Sequence, residues 1–247
     1  MGYLIVLFFI LHWYGSLFFQ TFLHHRYAAH GMFKMNNFWE KTFHILAYIF
    51  QGASYLSPYA YGVMHRMHHA YADTDKDPHS PKYHTSIMKM MWNTKVVYHA
   101  IDKQGKVVDA VFTNGVPGWR AFDAFGQSKI SRLVWILIYI SIYVYLAGDH
   151  WGWYFLIPVH IFMSPLHGVI INWFAHKIGY RNFKQNNTST NLFPIELLMW
   201  GEGLHNNHHK FASSPNFAKK WFEFDPMYPF ILLMNKLNII SIPTNRK

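Results

Sequence analysis

Long stretches without charge alternate with basic stretches along this chain. Residues 1–25 contain no Lys, Arg, Asp or Glu, and residues 133–175 contain a single formal charge, Asp149. About 20 consecutive apolar residues in a helix are enough to span the hydrocarbon core of a bilayer. The pattern therefore predicts three spans, at about 3–23, 133–147 and 152–175, with the last two forming a tight helical hairpin.

A further uncharged stretch, 42–64, is interrupted by polar residues, a glycine and a proline between positions 51 and 58. We interpret it as a re-entrant or buried segment rather than a full span. The sequence contains no internal repeat and no convincing domain boundary. We therefore predict an all-α, integral-membrane helical bundle, made as a single domain over residues 1–247, with a cytosolic helical cap.

The distribution of charge predicts the topology. Only 14% of the residues are charged, against about 25% in soluble domains, and all 22 basic residues lie in 26–41, 66–132 and 177–247. Lys and Arg concentrate in cytoplasmic loops. We therefore predict that residues 24–132 and 176–247 are cytosolic and that the N-terminus and the hairpin tip lie outside. The net charge of +10 then reflects topology and membrane lipids, and we expect no nucleic-acid partner.

Histidine is the unusual residue of this chain, with 18 copies and no cysteine. The absence of cysteine excludes a disulfide scaffold, a thiolate-bound iron–sulfur cluster and a thiol nucleophile. Four short motifs on the predicted cytosolic side contain the clustered histidines. They are His25-x4-His30, His65-x-x-His68-His69, Asn172-x3-His176 and His205-x-x-His208-His209.

The spacing in these motifs favours metal binding. Residues at i, i+3 and i+4 share one face of a helix, so the histidines of each H-x-x-H-H motif project together. His25 and His30 are five apart and diverge on a regular helix, so they serve different metals or straddle a helix end. Imidazole suits iron, copper, zinc and nickel, and nine clustered imidazoles exceed what one metal accepts. The motifs together predict a site for two metals, although one H-x-x-H-H alone also occurs on exposed helix faces.

Acidic residues next to the motifs are candidates to orient the histidines, because a metal-bound imidazole usually donates its other N–H to a carboxylate or carbonyl. Asp77 and His79 follow the second motif, and Glu202 precedes the fourth. Asp73 and Asp75 are weaker candidates that also fit a plain polar loop. We interpret the scattered histidines as packing or interfacial residues, with His24 undecided. These are His12, His44, His84, His99, His150, His160 and His167.

The order of the motifs resembles the integral-membrane fatty acid desaturases. Asp-Lys-Asp-Pro-His-Ser-Pro at 75–81, Gly-Tyr-Arg at 179–181 after the third motif, and Gly-Glu-Gly-Leu-His-Asn-Asn-His-His at 201–209 are similar to the Δ9 acyl-CoA and acyl-lipid branch, which includes stearoyl-CoA desaturase. The resemblance covers roughly residues 13–217.

The resemblance implies a di-iron enzyme with a cytosolic cap. It implies two Fe²⁺ ions, O2 as co-substrate, and removal of two vicinal hydrogens from a saturated acyl chain on CoA or a lipid, leaving a cis double bond, expected at Δ9. The implied ligands are His25, His30, His65, His68, His69, His176, His205, His208 and His209, with Asn172 acting through water.

Electrons must then come from a separate ferredoxin or cytochrome b5, since the sequence carries no flavin, haem or nicotinamide motif. Lys210, Lys219 and Lys220 offer a basic docking face, or else form an ordinary solvated or lipid-facing cluster. We expect a bacterial inner-membrane enzyme whose active site faces the cytoplasm.

The chain departs from the family pattern in two places. It has room for one span before the first motif where relatives have two, and it carries Tyr61 where relatives have Trp.

Two other functions stay open. A membrane di-iron hydroxylase or monooxygenase would use the same metals. A non-catalytic histidine-rich membrane metal-binding protein would need polar residues along a transmembrane path, and the predicted spans offer only His12, His160 and His167.

Overall fold

The computed structural model describes residues 2–103 and 108–243, and in these ranges every regular element is a helix. Positions 1, 104–107 and 244–247 of the predicted single domain lie outside the described residues. The α-helices, in chain order, are α1 Gly2–Phe19, α2 Asn37–Gln51, α3 Pro58–Tyr71, α4 Ile87–Asp102, α5 Ala110–Thr113, α6 Arg120–Gly126, α7 Lys129–Ala147, α8 Ile157–Ile161, α9 Met163–Asn172, α10 His205–Lys210 and α11 Met227–Lys236.

Two described helices are long and apolar enough to cross a membrane. The first is Gly2–Ala29, in which α1 runs directly into a π-helix at Gln20–Ala29, and the second is α7. Ser128 caps α7 by accepting a hydrogen bond from Ser131 N, and the helix ends at Gly148, whose φ is +52°. Both helices expose large apolar side chains along their lengths, as lipid-facing helices do.

The third predicted span is bent. Trp151–Ile161 and Met163–His176 meet at an angle of 68°, so the described residues contain two candidate spans, or three if this pair counts as one. The bend falls at Phe162, between α8 and α9. An integral-membrane helical bundle is therefore confirmed, and its last apolar segment is either a broken span or a re-entrant loop.

The uncharged stretch at 42–64 forms two helices that meet at a break. Asn36 caps α2 and Ser57 caps α3, with Pro58 in the first turn of α3. Between them Gly52 takes a φ of +52° and lies so close to the Tyr139 hydroxyl that a side chain has no room there. At 15 residues, α2 is too short to span a bilayer. It packs against α1, as expected of a buried or re-entrant segment.

The remaining helices and loops cover the end of the bundle where the π-helix, α3 and α9 end. One apolar core, which includes Phe22, Phe33 and Phe217, joins the π-helix to the C-terminal segment, and a second packs α3 against α4. Residues 177–204 have little regular structure and are held by isolated bridges such as Tyr180 to Asn191 and Asn191 to Leu204. This end of the molecule holds all four histidine motifs.

Candidate metal centre

The first motif lies on the π-helix, which changes where its histidines point. A π-helix hydrogen-bonds residue i to residue i+5, and His30 N donates to His25 O at 3.2 Å. Residues five apart therefore come to nearly the same face. His30 is the C-cap residue of the π-helix, so His25 and His30 straddle a helix end, as one of the two predicted alternatives had it. The other alternative, that they serve different metals, was wrong. Their side chains meet in the same cluster.

The nine clustered histidines form two adjacent groups. In each group the ligand atoms lie within 4.8 Å of one another. The five-histidine group consists of His25, His30, His65, His69 and His208, and the four-histidine group of His68, His176, His205 and His209. Each group could hold a metal ion.

The distances within each group fit metal coordination better than hydrogen bonding. In the five-histidine group, His65 Nε2 lies 3.0 Å from both His30 Nε2 and His69 Nε2, and His69 Nε2 lies 2.9 Å from His208 Nε2. One ring nitrogen cannot exchange a single proton with two neighbours at once. Nitrogens bound at about 2.1 Å to one metal, at right angles, would be about 3.0 Å apart.

The four-histidine group has the same spacing. His205 Nε2 lies 3.0 Å from both His176 Nε2 and His209 Nε2, and His209 Nε2 lies 3.2 Å from His68 Nε2. In both groups it is Nε2 that points inward. The donor sets therefore fit two metal ions held by imidazole.

Each H-x-x-H-H helix contributes to both groups. On an α-helix, residue i+4 lies about 40° ahead of residue i, and residue i+3 about 60° behind it. On α3, His65 and His69 therefore serve the five-histidine group while His68 serves the other. On α10, His205 and His209 serve the four-histidine group while His208 serves the five-histidine group. The two helices face each other, and each motif ties the two groups together.

Carboxylates orient the ligand candidates as the sequence suggested for two of them. Glu202 pairs with His25 Nδ1, and Asp77 receives His68 Nδ1 at 2.9 and 3.0 Å. Asp73 acts on His176 indirectly, through Thr188. It accepts a hydrogen bond from Thr188 Oγ1 at 2.8 Å, and that hydroxyl lies 3.1 Å from His176 Nδ1. These contacts leave each Nε2 free to face a metal.

The electrostatics of the site favour metal binding. Burial is the largest cause that lowers the pKa of His65, His69 and His208, and neighbouring imidazoles lower it further. Neutral imidazole is the form that binds a metal. Burial alone would raise the pKa of Asp77, but the charge and hydrogen bond of His68 hold it below its usual range. Burial likewise acts to raise the pKa of Glu202, but the charges of His25 and Arg26 and the hydrogen bond with His25 lower it overall.

His79 is placed differently from the other candidates. Its ring lies against His68 with centroids 4.3 Å apart, and its backbone N–H donates to Asp77 Oδ1 at 3.0 Å. Neither ring nitrogen has a hydrogen-bond partner among the described residues. Asn172 ends α9 and lines the same cavity as His79 and His205.

That cavity lies between the histidine groups and the membrane helices. Leu17, Gln20 and Thr21 line it from α1 and the π-helix, and Gly168 and Ile171 from α9. His25, His65 and His205 line its other side. The cavity therefore touches both histidine groups, through His25 and His65 of the first and His205 of the second.

The scattered histidines stay out of the two groups. His12 and His160 stack in the bundle with ring centroids 4.8 Å apart, and His12 Nδ1 lies 2.5 Å from His160 Nδ1. His24 contacts the Phe19 and Leu56 carbonyls.

Two of the lysines predicted to form a basic docking face lie near aromatic rings. Lys219 and Lys220 place their ammonium groups 5.2 and 5.5 Å from the Phe211 and Phe183 ring centroids.

Sequence reasoning missed Arg26. Its side chain is fully buried and donates to Asp225 Oδ1 at 3.1 Å and to Pro215 O at 2.8 Å, with Glu202 3.7 Å away. Arg26 thereby ties the first motif to the C-terminal segment. Its position within the His25-x4-His30 motif could have marked Arg26 as a candidate.

A polar network that positions α10 was also missed. Asn206 and Asn207, between the histidines of the fourth motif, are both fully buried. Asn191 Oδ1 accepts from the backbone N–H groups of both, at 2.9 and 3.2 Å. Asn207 Nδ2 donates to Glu223 Oε2 at 2.7 Å. The pair of asparagines within a histidine motif was the signal, but their partners are too distant in sequence to infer.

Comparison with known proteins agrees with this geometry. The sequence model of the family described as "Fatty acid desaturase" matches residues 1–229. Delta-9 acyl-lipid desaturase 2 of Arabidopsis thaliana is 26% identical over 227 residues, which cover 91% of this chain and 70% of the relative. Delta-9 desaturase-like 4 protein of the same plant is 30% identical over 227 residues, covering 90% and 70%.

A cyanobacterial protein is similar as well. The sn-1 stearoyl-lipid 9-desaturase of Synechocystis sp. is 28% identical over 180 residues, covering 71% of this chain and 52% of the relative.

Proposed function

This chain belongs to the fatty acid desaturase family, and from that premise we propose that it is an O2-dependent oxidoreductase that inserts a cis double bond into a saturated fatty acyl chain. Similarity to proteins named delta-9 and stearoyl-lipid 9-desaturases supports position Δ9. The observation that carries the proposal is the pair of histidine groups, converging through Nε2, above a cavity walled by membrane helices.

We assign the five-histidine group to one Fe²⁺ and the four-histidine group, with Asn172 acting through water, to the other. Bound iron would supply the chemistry that no side chain can, the reduction of O2 coupled to removal of two hydrogens from adjacent methylenes. Asp77, through His68, and Glu202, through His25, fix the orientation of the rings. Burial lowers the pKa of His65, His69 and His208, which favours the neutral imidazole that binds a metal.

The cavity residues position the acyl chain. Leu17 and Ile171 provide apolar contact for the methylenes of the acyl chain. The histidines that line the cavity would hold the metals next to it. Enclosure by α1, the π-helix and α9 excludes water from the reacting carbons.

We propose that the acyl chain is carried on CoA or on a membrane lipid. The similarity to Delta-9 acyl-lipid desaturase 2 supports a lipid, and a 30% identity over 192 residues to a Schizosaccharomyces pombe protein named Probable acyl-CoA desaturase supports CoA. Electrons would come from a ferredoxin or a cytochrome b5. The enzyme would lie in a bacterial inner membrane with the metal groups facing the cytoplasm, as the distribution of Lys and Arg favours.

The two alternative functions are less well supported. A hydroxylase would share the histidine groups, but the relatives described above are named desaturases. A non-catalytic metal-binding protein gives no reason for the cavity beneath the histidines.

The test is a comparison of total fatty acids by mass spectrometry in a host that lacks other desaturases and has a matching reductase. Wild type and His84→Ala, whose histidine lies in neither group, should produce a new monounsaturated chain. His208→Ala should not. A hydroxylated chain that depends on His208 would overturn desaturation, and unchanged unsaturation in His208→Ala would overturn the proposed ligand set.

A further inference from the structure

Helix α4 has an apolar stripe on the side that faces away from the protein core. Its buried residues are Met90, Thr94, Tyr98 and Ile101. Met88, Trp92 and Val96 are 78%, 65% and 51% exposed. At about 100° per residue, these three lie close together in angle and opposite the buried face. A helix at a water-facing surface normally turns polar residues outward, so this stripe is unexplained by the fold.

The end of α4 is fixed beside a membrane helix. Asp102 Oδ1 accepts from Gln127 Nε2 at 3.0 Å, and the Tyr98 hydroxyl donates to Gln127 Oε1 at 2.8 Å. Gln127 directly precedes Ser128, the cap of α7. α4 also contacts α9, the inner half of the bent span. It therefore bridges two points where the chain enters or leaves the bilayer.

The charges on α4 suit an anionic surface. Lys89 and Lys95 are exposed and flank the stripe on either side in angle, and Lys95 Nζ lies 5.0 Å from the Trp92 ring centroid. Along this helix the acidic residue is Asp102, which Gln127 engages. Basic residues next to a cytoplasmic leaflet are attracted to its anionic lipids, and Trp is enriched at the membrane–water interface.

We propose that α4 lies in the membrane interface, with Met88, Trp92 and Val96 inserted into an anionic phospholipid leaflet. Lys89 and Lys95 contact the headgroups. The predicted cytosolic part 24–132 then includes a helix that is held by lipid. Between the stripe and the buried face of α4, the Asn93 side chain donates to Pro78 O at 3.0 Å, and Thr94 on the buried face lies 3.5 Å from the same oxygen. Lipid contact thereby supports the loop that holds Asp77 and His79 against the histidine groups.

The chain contains no cysteine, so single-cysteine variants can be labelled at one chosen position. We would attach a spin label to Trp92→Cys, Val96→Cys and Asn186→Cys in nanodiscs of phosphatidylcholine containing phosphatidylserine. Relaxation of the label by apolar O2 and by a water-soluble nickel chelate reports its depth. Asn186 is exposed in the 177–204 segment and is the control.

The proposal predicts an O2-to-nickel ratio several-fold higher at 92 and 96 than at 186. It also predicts that Lys89→Glu with Lys95→Glu lowers this ratio in the anionic nanodiscs. If Trp92→Cys fails to fold, Val96→Cys gives the same test. A ratio at 92 and 96 equal to that at 186 would overturn the proposal. So would labels that become shielded only when an electron-donor protein is added, since the stripe would then be a protein-docking face.

Discussion

The helices α3 and α10 carry the same histidine spacing but are held in place by different forces. α3 has 14 residues, its own Ser57 cap and an apolar core beneath it. α10 has six residues and no side-chain cap of its own, and a helix this short is unstable alone. The third residue of the motif, directly before its second histidine, shows the contrast. It is Met67 on α3, packed among apolar side chains, and Asn207 on α10, hydrogen-bonded within a polar network.

This difference shows that ligand spacing and ligand support are separate properties of a sequence. Hydrophobic packing tolerates exchanges of similar volume. A buried polar network does not tolerate them, because each lost partner leaves another group unsatisfied. The two helices should therefore respond very differently to matched substitutions.

The largest effect should come from Glu223, the centre of the α10 network. Its carboxylate accepts from Tyr180, Asn182, Asn191, Asn207 and the backbone N–H groups of Lys219 and Lys220. Glu223→Ala leaves these donors without a partner and should lower the free energy of unfolding by about 3–5 kcal/mol. Thermal unfolding in detergent, with metal content measured on the same samples, checks this. An unfolding temperature within error of wild type would contradict the network's role.

The matched pair Asn207→Met and Met67→Leu compares the two helices at the same motif position. Asn207→Met removes hydrogen bonds to Phe217 O and Glu223 and should cost about 3 kcal/mol, whereas Met67→Leu should cost less than about 1.5 kcal/mol. Asn207→Met should also deplete bound metal, because His205, His208 and His209 share its helix. Equal losses in the two variants would mean that α3 and α10 are supported in the same way.

Acid should weaken the α10 network before it affects the apolar support of α3. Burial acts to raise the pKa of Glu223, but its hydrogen bonds lower it overall below the usual value. Stability from a lowered carboxylate pKa is present above the unfolded-state pKa of about 4.3 and is lost as pH falls through the folded value. The stability difference between wild type and Glu223→Gln should therefore shrink below about pH 4. Unfolding measured at pH 7 and at about pH 3 checks this, because the loss occurs below the unfolded-state pKa. A difference that grows in acid would be the contrary result.

The smallest effect should come from the cap of α3. Ser57 Oγ accepts from Ala60 N at 3.3 Å and donates to Asp123 Oδ2 at 3.0 Å. Ser57→Ala should cost about 1 kcal/mol, with little loss of metal because apolar packing still holds α3. Chemical denaturation measures the cost, and Ser57→Thr serves as the control that keeps the hydroxyl.

The sequence predicted what depends on local pattern. Gaps in the charge distribution located the membrane helices, and histidine spacing identified the motifs. The π-helix could not be predicted, because i+5 pairing at Gln20–Ala29 depends on packing against other elements. The division of the histidines into groups of five and four could not be predicted either, because it depends on the relative orientation of α3 and α10. Glu223 and Asn191 lie outside every motif and act only through contacts formed on folding.

We propose that α3 and α10 each supply ligands to both of two separate metals. The most direct test is an anomalous-scattering map of the purified, metal-loaded protein, collected at the absorption edge of the bound metal. We predict two peaks, one among His25, His30, His65, His69 and His208 and one among His68, His176, His205 and His209. A single peak, or two peaks that divide the histidines by helix, would contradict this assignment of ligands.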